Sequence, residues 1–229
     1  MFVLTVPGVD YIDNYCERTD GSFWSEPLNA VSNVSFLVAA VAAWVLVRRA
    51  SRGVGRPAGE LYALPAMIFL IFAGSSAFHT TATRWGLVAD SGSIGVYMVY
   101  FIALWPRLYW GLPWRRAWLG APVFLAFTAL VSLIPGLPGM YLSALIGLLV
   151  LAGLLFYSDH AERRPHWRWY VTAALIFAVS LTARTLDEPM CAQMPIGSHY
   201  IWHLLNGLVL YVVTYAAVSR WRQVLQPVP

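Results

Sequence analysis

Lysine is missing from this sequence, and all fifteen of its positive charges are arginines. That absence excludes a retinal-binding pump, which needs a lysine Schiff base. Charge of either sign is scarce. Charged residues make up 11% of the 229 positions and hydrophobic ones 59%, with a mean hydropathy of +0.62, which excludes an ordinary soluble domain. A basic n-region is lacking too. Residues 1–24 carry Asp10, Asp13, Glu17 and Asp20 where the apolar core of a cleavable signal peptide would stand, so the first apolar span is expected to act as its own insertion signal.

What is abundant is long apolar sequence. A helix needs about 20 residues to cross a bilayer. Seven runs qualify as expected spans: 28–47, 61–79, 87–105, 117–134, 138–157, 167–184 and 199–219. Pro135, Gly136, Leu137 and Pro138 mark a tight turn between the fourth and fifth. The expected fold class is therefore all-α, a polytopic membrane protein with a seven-transmembrane helix bundle. Residues 1–27 form an extracytoplasmic N-terminal segment, 28–222 the bundle and 223–229 a cytoplasmic tail.

Arginine placement sets the orientation. With the N-terminus outside and the C-terminus cytoplasmic, the inner loops hold Arg48, Arg49, Arg52, Arg56, Arg107, Arg115, Arg116, Arg163, Arg164, Arg168, Arg220 and Arg222. The outer side keeps Arg18, Arg84 and Arg184. Spread over short membrane-flanking loops, these residues make no contiguous basic surface, so no nucleic-acid partner is expected. Exclusive use of arginine points to a GC-rich bacterial genome, and so to a bacterial cytoplasmic membrane. Cys16 and Cys191 both fall on the outer side, where an even number of cysteines in an oxidising compartment favours a disulfide over two unpaired thiols.

Only five histidines occur, and three of them converge in depth. The second span runs outward and ends at His79. The third and seventh run inward, bringing Asp90 and the pair His199 and His203 into their outer turns. Imidazoles in or near hydrocarbon are costly and usually functional. Residues four apart share a helix face, so His199 and His203 can present two nitrogens to one ion, and Ser75 lies one turn deeper than His79. Three neutral nitrogens suit zinc and leave a fourth position open, and Asp90 can take a proton there or orient a ligand.

Each residue alone has a plainer reading. The histidine pair can sit in the interfacial zone, His79 can be an ordinary hydrogen-bonded residue, Asp90 can favour a helix dipole, and Ser75 can serve close helix packing. Together at one depth they favour a metal site. His160 and His166 lie in the basic loop before the sixth span and are expected to be solvated or to face headgroups. Before the first span, Asp13, Asn14, Glu17, Thr19, Asp20 and Glu26 form an oxygen-rich cluster that could share calcium or simply be a solvated loop.

These motifs resemble the alkaline ceramidases, seven-span zinc amidases related to the adiponectin-receptor-like proteins. The resemblance rests on Tyr15-Cys16-Glu17, on Glu26 through Asn33 (ExxNxxSN), on Ser75 through His79 (SxxFH) with Asp90 following, and on His199 through His203 (HxxWH). It implies amide hydrolysis of a ceramide-like membrane lipid to a sphingoid base and a fatty acid, with an extracytoplasmic active site. His79, His199 and His203 would be zinc ligands, Ser75 would steady the oxyanion and Asp90 would assist the attacking water. It also implies a Cys16–Cys191 disulfide. For calcium the match is partial: Glu17 and Glu26 agree with the family pattern, whereas Asn14 and Thr19 stand where it has an aspartate and an asparagine. Alternatives are a hydrolase of another lipid amide or ester, and a zinc-containing receptor.

Overall fold

The computed structural model describes residues 11–54 and 58–225. Asp10 and Arg56, which entered the charge arguments above, lie outside them, as do residues 226–229 of the expected tail. Helix follows helix: α1 (Pro27–Ser32), α2 (Val34–Ser51), α3 (Gly59–Thr81), α4 (Arg84–Trp110), α5 (Trp114–Ala117), α6 (Gly120–Ser132), α7 (Gly139–Phe156), α8 (Trp167–Leu186) and α9 (His199–Leu225). No strand occurs among the described residues.

Helices that are apolar on every side have no polar face to turn toward water. Val38, Leu70, Val88, Val123, Leu133 and Leu175 all remain exposed on the outside of the bundle, as a hydrocarbon surround requires. Inward faces carry Ala43, Leu61, Leu64, Ile68, Leu104, Leu155, Tyr170 and Ala216, which pack into one continuous core. Neighbouring contacts run α2 to α3, α3 to α4, α4 to α6, α6 to α7, α7 to α8, α8 to α9, and α9 back to α2. Among the described residues, seven helices thus form a closed ring.

Six of these helical stretches are long and apolar enough to cross a membrane. The expected fourth span is the exception. Its regular part, α6, has 13 residues, about 20 Å at 1.5 Å per residue against a hydrocarbon core of about 30 Å. The helical path breaks at Trp118 and Leu119, between α5 and α6.

Two local features place the functional end. Ala82 adopts a left-handed conformation (φ 49°) that stops α3 just after His79, and the Thr83 hydroxyl accepts from Gly86 N at 3.2 Å to start α4. The two helices therefore form a tight hairpin. Within it Gly74 lies against the α4 backbone: a Cβ there would sit 2.5 Å from the Ala89 carbonyl oxygen and 3.0 Å from Asp90 N. Only glycine permits that approach, and it brings the Ser75 turn beside the Asp90 turn.

The N-terminal segment folds over the same end. Ile12 N donates to Ala82 O at 2.8 Å, and Cys16 is bonded to Cys191 with Cα atoms 5.1 Å apart. At the opposite end, Arg107 pairs with Glu60 and lies over the Trp114 ring. His160 is exposed there, as expected, but His166 is not. It is buried where α8 begins, 3.0 Å from Gln223 Oε1 and edge-on to Tyr109. The start of a packed helix, unlike the loop before it, turns its side chains into the bundle.

Candidate metal centre

His79 comes from the last turns of α3, and His199 and His203 from the first two turns of α9. All three are essentially fully buried, and one ring nitrogen from each lies within 4.8 Å of the other two. Their rings meet at centroid distances of 4.6–5.1 Å. This is the one group of histidine, cysteine or carboxylate residues at metal-holding distance among the described residues.

Hydrogen bonds set which nitrogen two of the three rings offer. The Glu26 carboxylate, 2.6 Å from His79 Nδ1, can only accept, so Nδ1 carries the proton and Nε2 keeps its lone pair. That Nε2 is buried with no partner among the described residues. Ser32 Oγ donates its single proton to Asn29 O at 3.0 Å and therefore accepts from His203 Nδ1 at 2.7 Å. The lone pair of the neutral ring is then on His203 Nε2. His199 Nδ1 is likewise buried and unpartnered among the described residues, with the Tyr15 ring stacked on the imidazole at 3.6 Å. A buried polar atom left without a partner costs about 1–3 kcal/mol. Converging lone pairs of neutral imidazoles, their outer nitrogens tied to a carboxylate and a hydroxyl, are the arrangement a metal ion resolves. The residues fit a metal, and neutral nitrogen ligands suit zinc.

Ser75 lies one turn before His79 on α3, and Asp90 stands on the facing α4. Both are buried, and Ser75, His79 and Arg184 are among the groups facing the Asp90 carboxylate. Arg184 lies with its guanidinium 4.6 Å from the Tyr141 ring centre and 5.7 Å from that of Trp202.

The acidic segment is put to other uses. Both Glu17 oxygens accept backbone amides at the start of α1, Leu28 N at 2.6 Å and Asn29 N at 2.8 Å. Burial raises its pKa, and those two amide bonds oppose the rise. Glu26 is held by Arg18 on one oxygen and by His79 and Asn29 on the other. Burial pushes the Glu26 carboxyl up, and the hydrogen bonds from His79 and Asn29 with the charge of Arg18 act against the rise. Asp20 accepts from Ser22 N, and Ser25 Oγ accepts from Thr19 N and Asp20 N. Asp13 and Asn14 are half-buried, and burial raises the Asp13 carboxyl. Nothing in these contacts gathers the oxygens around a common point, so the calcium expectation gains no support.

Several contributors escaped sequence reasoning. By sequence Glu26 is a calcium candidate and Ser32 a motif position without a role, whereas in the structure they are the partners of His79 and His203. Asp187 was not singled out at all. It is 1% exposed; its Oδ1 accepts Ser198 N and His199 N, and its Oδ2 accepts Cys16 N. A carboxylate from the preceding connection thus caps the helix that carries two of the histidines. Gly197, at φ 64°, passes so close that a Cβ would overlap Asp187 Oδ1. The glycine next to the HxxWH motif was the available signal.

Fold and site together define a polytopic helical membrane protein with a three-histidine metal-type centre buried at one end of its bundle. A family model described as Ceramidase matches residues 13–226. The chain belongs to the ceramidase family and is a hydrolase acting on the amide bond of ceramide. A comparison with individually curated proteins gives no match.

Proposed function

We propose that His79, His199 and His203 hold a catalytic zinc ion and that the protein hydrolyses ceramide-like lipids to a sphingoid base and a free fatty acid. The observation that carries this reading is the pair of outer contacts, Glu26 on His79 Nδ1 and Ser32 on His203 Nδ1, which leave both Nε2 lone pairs available in a group of three histidines at metal-holding distance. Zinc bound there supplies a Lewis acid that polarises the carbonyl and makes water acidic enough to attack near neutral pH.

The protein's own residues do the rest. Asp90 takes the proton from the attacking water as its oxygen bonds to the carbonyl carbon. Ser75 donates to the oxyanion of the tetrahedral species. When the carbon–nitrogen bond breaks, Asp90 returns the proton to the leaving amine, so that fatty acid and neutral amine balance the amide and water consumed. The acyl chain has a place to lie: an apolar cavity lined by Tyr97, Phe101, Leu148, Leu151, Phe177 and Trp202 starts beside the turn that carries His203.

The same reading places α6 and its flanking turns as a seventh crossing, with the N-terminus and the centre on the extracytoplasmic side. It rests on the excess of arginine at the opposite end and on the disulfide over the histidine end. A substrate screen of lipid amides with and without a chelator, reading released fatty acid, tests the function. About one zinc per chain is expected, with His203→Ala losing both zinc and hydrolysis. Full hydrolysis by His203→Ala, or a zinc-replete protein that cleaves no lipid amide, overturns the proposal.

A further inference from the structure

Arg18 is the one arginine in the N-terminal acidic segment, and it is 4% exposed. A guanidinium cannot shed its charge, so burying it requires partners for its fork of donors. Those partners are specific. Nε donates to Glu26 Oε1, Nη1 to Asp20 O at 3.0 Å and Nη2 to His79 O at 3.0 Å. The same side chain therefore grips the carboxylate that orients His79 and the backbone of His79 itself. On its far side, Glu26 Oε2 meets His79 Nδ1 and the Asn29 amide.

We infer that Arg18 is the resident cation of the acidic segment, doing in this chain what a divalent ion would otherwise do, and that it is a positioning residue for the zinc ligand His79. The chain Arg18–Glu26–His79 rests on the zinc reading given above. Its first half stands on charge and geometry alone. Carboxylates crowded at the mouth of a buried site need a positive centre, and Arg18 supplies it from within the sequence. With both Glu17 oxygens on backbone amides and both Glu26 oxygens occupied, neither glutamate keeps an unpartnered carboxylate oxygen for calcium. The second half follows from geometry. Arg18 fixes Glu26 on one oxygen, so the other is held in line with His79 Nδ1 and keeps Nε2 turned to the metal.

The test uses the full chain in detergent with three readouts: bound calcium, rate of zinc release to a competing chelator, and separate kcat and KM. Wild-type protein is expected to bind no calcium at about 1 mM, the weak end of the range that protein sites span. Arg18→Gln is expected to release zinc about ten- to a hundredfold faster, as loss of an outer partner does, with kcat falling more than KM. Arg18→Lys keeps a charge by Glu26 but cannot also reach His79 O, and is expected to lie between the two.

Calcium bound by the wild type at about one ion per chain overturns the resident-cation role. Unchanged zinc release from an Arg18→Gln protein with its disulfide intact overturns the positioning role. Should Arg18→Gln not fold, Arg18→Lys and the wild-type calcium measurement decide: lysine matching wild type in zinc release refutes the positioning role. A wild type that holds no zinc at all refutes the zinc reading and the positioning role together, while the calcium measurement still judges the resident cation.

Discussion

Asp187→Ala is expected to loosen the centre from a distance, without touching any ligand. The Asp187 carboxylate is buried and accepts three backbone amides: Ser198 N at 2.5 Å, His199 N at 2.8 Å and Cys16 N at 3.0 Å. Removing it uncaps α9 and strips the hydrogen bond from the amide of a histidine in the proposed site. A lost helix cap costs about 0.5–2 kcal/mol, and each buried amide left unpaired about 1–3 kcal/mol. Water entering the space left behind recovers part of this, so a total of about 3–5 kcal/mol is reasonable. For a chain of 229 residues, that lowers the thermal midpoint by roughly 6–20 °C. Asp187→Asn keeps one acceptor oxygen and is expected to lose less. The assay is thermal unfolding in detergent alongside zinc release to a chelator, and faster release is expected because the first turn of α9 frays. An Asp187→Ala protein that melts within about 2 °C of wild type and holds zinc equally well would refute the view that this cap sets the position of His199.

Other expectations concern separate contacts. Gly74→Ala places a Cβ 2.5 Å from the Ala89 carbonyl oxygen and must push α4 from α3. Because a misplacement of about 1 Å costs about a hundredfold in rate, kcat should fall roughly that far while zinc is retained, as steady-state kinetics and metal analysis would show. Ser32→Ala removes the acceptor on His203 Nδ1 and should weaken zinc binding about ten- to a hundredfold in a chelator competition. Reducing the Cys16–Cys191 bond opens a closure spanning 175 residues. The chain-entropy model puts such a bond at about 5 kcal/mol, an upper figure because unfolded spans stay confined by the bilayer. A lower melting temperature after treatment with a reductant, absent in Cys16→Ser with Cys191→Ser, would confirm the bond's contribution.

Much of the centre was legible because its ligands obey helical spacing. His199 and His203 share a face by being four apart, and the alternating direction of the spans brings His79 and Asp90 to their depth. The disulfide followed from compartment and parity. The surrounding contacts were less readable, since they join distant segments. Glu26 meets His79 across 53 positions, Ser32 meets His203 across 171, and Asp187 joins Cys16 to the start of α9 across the same span. No periodicity encodes such pairs. The interruption of the fourth apolar run was illegible for a related reason: hydropathy counts apolar residues and does not see the break at Trp118 and Leu119.

The sequence by itself determined a helical membrane bundle, since apolar runs of this length leave the backbone no other way to satisfy its hydrogen bonds in hydrocarbon. It also determined three histidines at one depth. What only the tertiary structure decided is the use of each polar group around them. A carboxylate beside a histidine is a metal ligand, a hydrogen-bond acceptor or half of an ion pair according to what its other oxygen meets. For Glu26 that neighbour is Arg18, and packing alone put it there.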